Sequence, residues 1–262
     1  MDKRFLTPRE VANATVNVGI NKANLSTSSC IRLGILAGIF IGFGGLGNIL
    51  FGQTISNIDP GLGRFVGAMV FPVGLMLVVI CGAELFTGNN LMTLAVLEKK
   101  ITIGQMFRNW SFVYLANFVG SVVLALIVFY SSTLSGDAAT KAIAIAESKA
   151  NLDILQMFLR AIMCNILVVL AVWMATASQD IASKIFSCWF PIMLFVLCGF
   201  EHSIANMFFI PMGMLLGAQV SIVGLLINLV FVTLGNIVGG AIIIPFAYHR
   251  CYLKKTTSKN TN

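Results

Sequence analysis

Apolar residues gather into six long runs along the chain, roughly 33–51, 65–97, 112–130, 152–177, 185–216 and 222–247. Four have the length of a membrane-crossing helix, about 20 to 25 residues for a hydrocarbon core of about 30 Å. The second and fifth are too long. About 32 residues of straight helix would extend about 48 Å at 1.5 Å per residue. Each also carries a glycine-and-polar cluster at its middle, CGAELFTGNN at 81–90 and CGFEHSIAN at 198–206. Both read as helix, non-helical break, helix. Such breaks are tolerated at membrane depth only where they are buried in protein or line a cavity.

Ahead of the first run, TPREVANATVNVGINKANLS opens with a Thr7 cap and Pro8 at the first helical position. Its apolar residues alternate irregularly with Asn and charge, which predicts an amphipathic helix at the membrane interface. That helix serves as an anchor or, alternatively, as a cytoplasmic lid. The predicted organisation is an N-terminal amphipathic helix over 1–30, three spans over 31–133 and a connecting loop on the extracellular side over 134–151. Three further spans follow over 152–250, then a cytoplasmic tail over 251–262.

Composition agrees with this class: the 262 residues are 58% hydrophobic and 10% charged, with mean hydropathy +0.91. Soluble domains lie nearer half apolar and a quarter charged. No apolar run begins before about Ile31, so no cleaved signal peptide is expected. The six cysteines have no metal-type spacing and most fall in apolar runs, so neither disulfides nor a metal site are expected. The net charge of +7 follows orientation rather than nucleic-acid binding, since no aromatic-interleaved basic patch occurs. Six spans put both termini on one side. There lie Lys3, Arg4, Arg9, Lys22, Arg32, Lys99, Lys100, Arg108, Lys184, Arg250, Lys254, Lys255 and Lys259. Only Arg64, Lys141, Lys149 and Arg160 fall on the other side. The positive-inside rule then places both termini in the cytoplasm.

The chain also repeats itself. Cys81, Gly82, Glu84 and Asn89 recur 117 residues later as Cys198, Gly199, Glu201 and Asn206. NIL at 48–50 recurs at 165–167, also 117 apart, and NFVG at 117–120 matches NIVG at 236–239, 119 apart. Matches in the same order argue for duplication. A three-span unit, being odd, must enter the second time from the opposite face, an inverted-topology repeat with broken helices in corresponding positions. The helix N-termini at such breaks suit anions. The predicted fold is therefore an all-α integral membrane protein of six transmembrane helices in two inverted three-helix repeats, helices 2 and 5 broken.

AELFTGN at 83–89, CNILVVLAVWMA at 164–175, GFEHSIANM at 199–207 and TLGNIVGG at 233–240 carry a resemblance to the formate–nitrite transporter family. It extends from about residue 5 to 255. The resemblance implies an aquaporin-like protomer, though no NPA occurs here, and assembly as a homopentamer with one pore per protomer in the lipid of the cytoplasmic membrane. It implies small anions (formate, nitrite or hydrosulfide) as the permeating partners and no cofactor. His202 would stand near the pore midpoint, and Thr87 would hydrogen-bond it or the permeating species. Asn165 and Lys149 would lie toward the extracellular vestibule, the lysine drawing anions in. Asn206 belongs to the same motif. Leu85 and Phe86, with Phe71, Leu75, Val168 and Phe195, would form two apolar constrictions.

Physical chemistry narrows the mechanism. A bare anion in a dry neck carries a Born penalty of tens of kcal/mol before relaxation, and the neutral acid far less. The expected route is attraction of the anion, transient neutralisation near the necks and release as anion. An imidazole, with an unperturbed pKa of about 6.5, is suited to share or relay that proton. Water in the vestibule is the alternative source. Glu84 and Glu201 are expected to satisfy backbone N–H groups of the broken helices, with proton carriage the alternative. Thr87 also fits a helix cap, Lys149 a solvated loop lysine, and His249 a headgroup-facing residue. Two other function classes compete. A haem or metal enzyme wants paired or clustered ligands, and only His202 lies mid-membrane. A proton-coupled secondary transporter shares the inverted-repeat architecture. Within the family, ELFTGNN favours formate, then nitrite, over hydrosulfide.

Overall fold

The computed structural model describes residues 5–254. Lys3, Arg4, Lys255 and Lys259, and the tail from 255 on, lie outside the described residues. Among the described residues the elements are all helical, with one isolated antiparallel bridge between Phe5 and Ser178. Helix α1 (Pro8–Ala23) leads into α2 (Thr27–Gly52), then α3 (Pro60–Val70) and α4 (Val73–Ile80). After the first break come α5 (Phe86–Asn89) and α6 (Thr93–Leu97), then α7 (Ile103–Tyr130). Next are α8 (Asp137–Ala150), α9 (Ile154–Ala177) and α10 (Ile181–Leu197); α11 (Ser203–Leu215) follows the second break. The described residues end with α12 (Ile222–Ile237), a π-helical stretch (Val238–Ile243), α13 (Ile244–Tyr248) and a second π-helical stretch (His249–Leu253).

Among the described residues, five helical stretches are long and apolar enough to cross a membrane: Thr27–Gly52, Pro60–Ile80, Ile103–Tyr130, Ile154–Ala177 and Ile222–Leu253. The shorter apolar helices Ile181–Leu197 and Ser203–Leu215 flank the second break. Their starts are set locally. Ser26, Asp153 and Ser221 each accept the backbone N–H three residues on, which satisfies one of the orphan donors of a first turn. Thr102 and Gln105 close a capping box on α7.

The core forms where α2 meets α7 and where α9 meets α12. Both crossings need glycine. A Cβ on Gly120 would sit 2.0 Å from the Ile35 carbonyl oxygen, and one on Gly239 would sit 2.2 Å from that of Ile162. The small residues of NFVG and NIVG thus serve close packing within one protomer.

Three expectations change. The segment 134–151 is not a loop. It contains α8, whose alanines 138, 142 and 146 bury one face at helical spacing, chiefly against α11. Nor does α1 lie on lipid through its apolar face. Val11, Ala12, Thr15, Val16, Gly19 and Ala23 are buried, with α6 and α9 among the neighbours. Third, the NIL match is out of register. The Glu84 amide donates to the Leu33 carbonyl and the Glu201 amide to that of Arg160, so α2 and α9 correspond 127 residues apart, 33 to 160.

Candidate functional site: two breaks and the septum between them

Each break follows a residue in the left-handed backbone region, Gly82 at φ +85° and Gly199 at φ +68°. A side chain is rarely held there, and glycine pays no Cβ penalty. The chain then runs extended into the next helix: Leu85 caps α5 at φ −108°, ψ 121°, and His202 caps α11 at φ −114°, ψ 117°.

The exposed backbone of each break is held by one buried asparagine. Asn117 donates to the carbonyls of Gly34 (2.8 Å) and Glu84 (2.9 Å) and accepts the Phe86 N–H at 3.0 Å. Asn236 donates to Ala161 (2.9 Å) and Glu201 (3.0 Å) and accepts the Ser203 N–H at 2.9 Å. Buried backbone groups left unpaired would each cost about 1–3 kcal/mol, so these ties decide whether the breaks can exist. The carboxylates do a different job from the backbone capping expected of them. Glu84 pairs with Lys22 and accepts from Asn89. Glu201 accepts from Lys149 through both oxygens, at 3.0 and 3.1 Å, and from Asn206 at 2.7 Å. A second asparagine closes each network: Asn109 ties Asn89 to the Lys22 carbonyl, and Asn228 ties Asn206 to the Lys149 carbonyl.

Two cavities approach the septum between the breaks. One, of about 400 Å³, is lined by Thr15, Gly19 and Lys22 of α1, by Leu75, Leu85 and Glu84, and by Val172 and Thr176 of α9. The other, of about 430 Å³, is lined by Phe71, Phe195, Phe209 and His202, and by Lys149 and Glu201. Thr87 lines neither cavity and is fully buried, while His202 is 2% exposed. Their side chains meet across the septum, Thr87 Oγ1 to His202 Nε2 at 2.9 Å. The ring's other nitrogen, Nδ1, accepts the Ala205 backbone N–H at 3.1 Å. A neutral imidazole held this way carries its hydrogen on Nε2 and donates it to Thr87. The threonine hydroxyl hydrogen is then left to point elsewhere.

The apolar residues named from sequence sort by cavity. Leu75 and Leu85 floor the first; Phe71 and Phe195 floor the second. Phe71 and Phe195 meet edge to face at 5.6 Å, and Phe195 stacks on His202 at 5.8 Å. Phe86 turns instead toward Trp110 and Tyr114, at 5.7 and 5.0 Å, and lines neither cavity. Val168 is buried and also lines neither. Asn165 sits deep in the septum rather than on a cavity wall. Its amide donates to the carbonyls of Thr87 and Asn236 and to Asn90 Oδ1. Its own Oδ1 is buried without a partner among the described residues. His249 pairs with Glu98 at 2.8 Å rather than facing headgroups alone. Among the described residues no group of three His, Cys, Asp or Glu side chains is placed to hold a metal ion.

Sequence reasoning passed over Lys22, Asn109, Asn117, Asn228, Asn236 and Phe209. One signal was present: KANL occurs at 22–25 and again at 149–152. It ends α1 and α8 alike and delivers the lysine of each network.

Comparison with known proteins places these features in a family. The sequence profile described as Formate/nitrite transporter matches residues 9–250. A probable formate transporter of Methanothermobacter thermautotrophicus is 42% identical, over 97% of this chain and 100% of the relative. The formate channel BtFdhC of Bacillus thuringiensis is 38% identical, over 96% of this chain and 97% of the relative. Among solved structures, a pentameric formate channel with formate bound superposes with TM-score 0.78 at 34% identity, covering 87% of this chain and 98% of that one. An FNT family ion channel superposes with TM-score 0.83 at 29% identity, covering 92% and 98%.

Proposed function

The chain belongs to the formate/nitrite transporter family, and from that premise we propose that it passes small monovalent anions of weak acids, formate first and nitrite next. It is a multi-pass membrane protein of a transport family, not an enzyme. In the proposed arrangement the two cavities are the ends of one pore, and the septum between them is its barrier. Six spans form two inverted units over 31–133 and 152–250, and both termini face the cytoplasm. Five protomers assemble, each with its own pore; the pentameric formate channel supports this count by its likeness.

The observation that carries the reading is the Thr87–His202 hydrogen bond, a proton-holding pair set between apolar floors. A formate ion entering past Phe71 and Phe195 leaves water behind, and its charge has nothing to replace that hydration but this pair. A proton taken up from the water of the cavity, relayed by this pair and returned to water beyond the septum, removes most of the desolvation cost. With Nε2–H already donated to Thr87, the threonine hydroxyl is free to donate to the arriving carboxylate, and Asn165 Oδ1 supplies an acceptor nearby for an acid O–H. Lys149 and Lys22 sit at the two entrances, each attracting anions while held in place by its glutamate.

Purified protein in liposomes loaded with a pH dye tests this. Formate, nitrite and hydrosulfide gradients are imposed in turn on the wild type and on His202→Ala. Rapid formate flux with accompanying proton movement is expected in the wild type. In the variant the proton movement falls at least about tenfold, the loss of about 1.4 kcal/mol of barrier lowering. No flux of any of the three ions would overturn the reading, and a ranking led by hydrosulfide would move the substrate within the family. Unchanged proton movement in His202→Ala would leave the histidine a shaping residue only.

A further inference from the structure

The two cavities differ sharply in charge. The first holds Lys22 and Glu84, which pair with each other. The second is lined by Arg64, Lys141, Lys149 and Arg160, with Glu201 the single carboxylate among its lining residues. Glu201 is taken up by Lys149, and no ion pair engages Arg64, Lys141 or Arg160 among the described residues. This is not the charge of that end of the molecule as a whole. Asp59, Asp137, Glu147 and Asp153 lie at the same end but not on the cavity. Asp59 and Asp153 cap helices, Glu147 accepts the Gln219 amide, and Asp137 begins α8. The fold has sorted the signs, with cations inward around the cavity and carboxylates onto helix ends.

We propose that this cavity is a binding site for polyvalent oxyanions of the sulfate class, which occupy the mouth, do not permeate, and block the pore only when supplied from that face. The inference rests on the reading of the two cavities as one pore. A volume of about 430 Å³ equals a cube roughly 7.5 Å on edge, within the Debye length of about 8 Å at physiological salt. The three unpaired cations therefore act together on whatever enters. A potential that concentrates a monovalent anion n-fold concentrates a divalent one n²-fold. The same divalent ion cannot follow formate inward: its desolvation cost grows as the square of charge, and neutralising it takes two protons instead of one. What draws formate to the mouth holds sulfate there.

Right-side-out and inside-out membrane vesicles give access to one face each, and Cys198 supplies a reporter on the site itself. It lines this cavity and is exposed. With Cys81 and Cys251, the other exposed thiols, replaced by serine, an anionic methanethiosulfonate should modify Cys198 about tenfold faster than a cationic one. Sulfate should slow that reaction. Sulfate on the Cys198 face, against gluconate at equal ionic strength, should reduce formate flux about threefold or more, and sulfate on the opposite face should leave it unchanged. Combined Arg64→Gln, Lys141→Gln and Arg160→Gln should abolish both the block and the reagent preference while formate still passes at high concentration. Equal effects of sulfate and gluconate, equal block from both faces, or reagent rates near parity in the wild type would each overturn the site. Absence of formate flux with the reagent preference intact would sink the pore reading and leave the anion site standing.

Discussion

The break at 81–85 and the break at 198–202 are built alike and furnished differently. Each turns on a left-handed glycine, is pinned by an asparagine from a later helix, and hangs its glutamate between a lysine and a further asparagine. At the capping position, though, the first has Leu85 where the second has His202. Two residues further, the first has Thr87 where the second has Ile204. The polar pair at the septum thus takes one member from each break, at positions that do not correspond. Symmetry supplies the scaffold, and departure from it supplies the hydrogen-bonded pair. A strictly symmetric protein would place two histidines or two leucines there, and neither makes a single proton-holding bond.

The comparison breaks most visibly if the two asparagines are unequal. Asn117→Ala and Asn236→Ala each strip partners from one backbone N–H and two carbonyls. At about 1–3 kcal/mol per buried group left unpaired, each should cost about 4 kcal/mol. Thermal unfolding in detergent should show comparable losses for the two; tolerance of one alone would mean that the breaks are supported by different means. A smaller effect is expected at the helix crossings. Gly120→Ala and Gly239→Ala place a methyl group 2.0 and 2.2 Å from a backbone oxygen, so the helices must part. Overpacking of this kind costs about 1–3 kcal/mol and should lower both melting temperatures alike. The smallest effect is expected at the turns. Gly82 and Gly199 have nothing within 4 Å of a built Cβ, so alanine there pays only for its backbone conformation, about 1 kcal/mol each. A larger loss at one of them, read in the same melts, would reveal a contact that the other lacks.

The breaks themselves were legible, because glycine and charge clustered inside an apolar run are too costly for an unbroken helix facing lipid. The contact between Thr87 and His202, which the family resemblance implied, is present as a hydrogen bond between the two breaks. The framework was harder to see. Asn109 and Asn117 on α7, and Asn228 and Asn236 on α12, have partners 20 to 87 residues away, which no local pattern reveals. Helix α8 escaped because an alanine-rich face buries well yet scores weakly as apolar. Its kinship with α1 escaped because the spacing between copies shifts from 127 to 117 residues, 33 to 160 against 84 to 201. The first copy connects its second and third elements through residues 53–59, including a short 3-10 turn, where the second copy uses only 178–180. NIL, repeated at a spacing of 117, has no structural counterpart, while KANL, repeated at 127, has one.

The polar frameworks have a consequence for biosynthesis. Every member of the first lies between Lys22 and Asn117, and every member of the second between Lys149 and Asn236. A chain leaving the ribosome can therefore satisfy its first set of costly membrane-buried groups before α8 has been made. The Thr87–His202 bond comes only when the second half arrives. The second framework closes later still, with Asn228 and Asn236 of α12, so a half-made protein holds one complete set of ties before the two breaks meet.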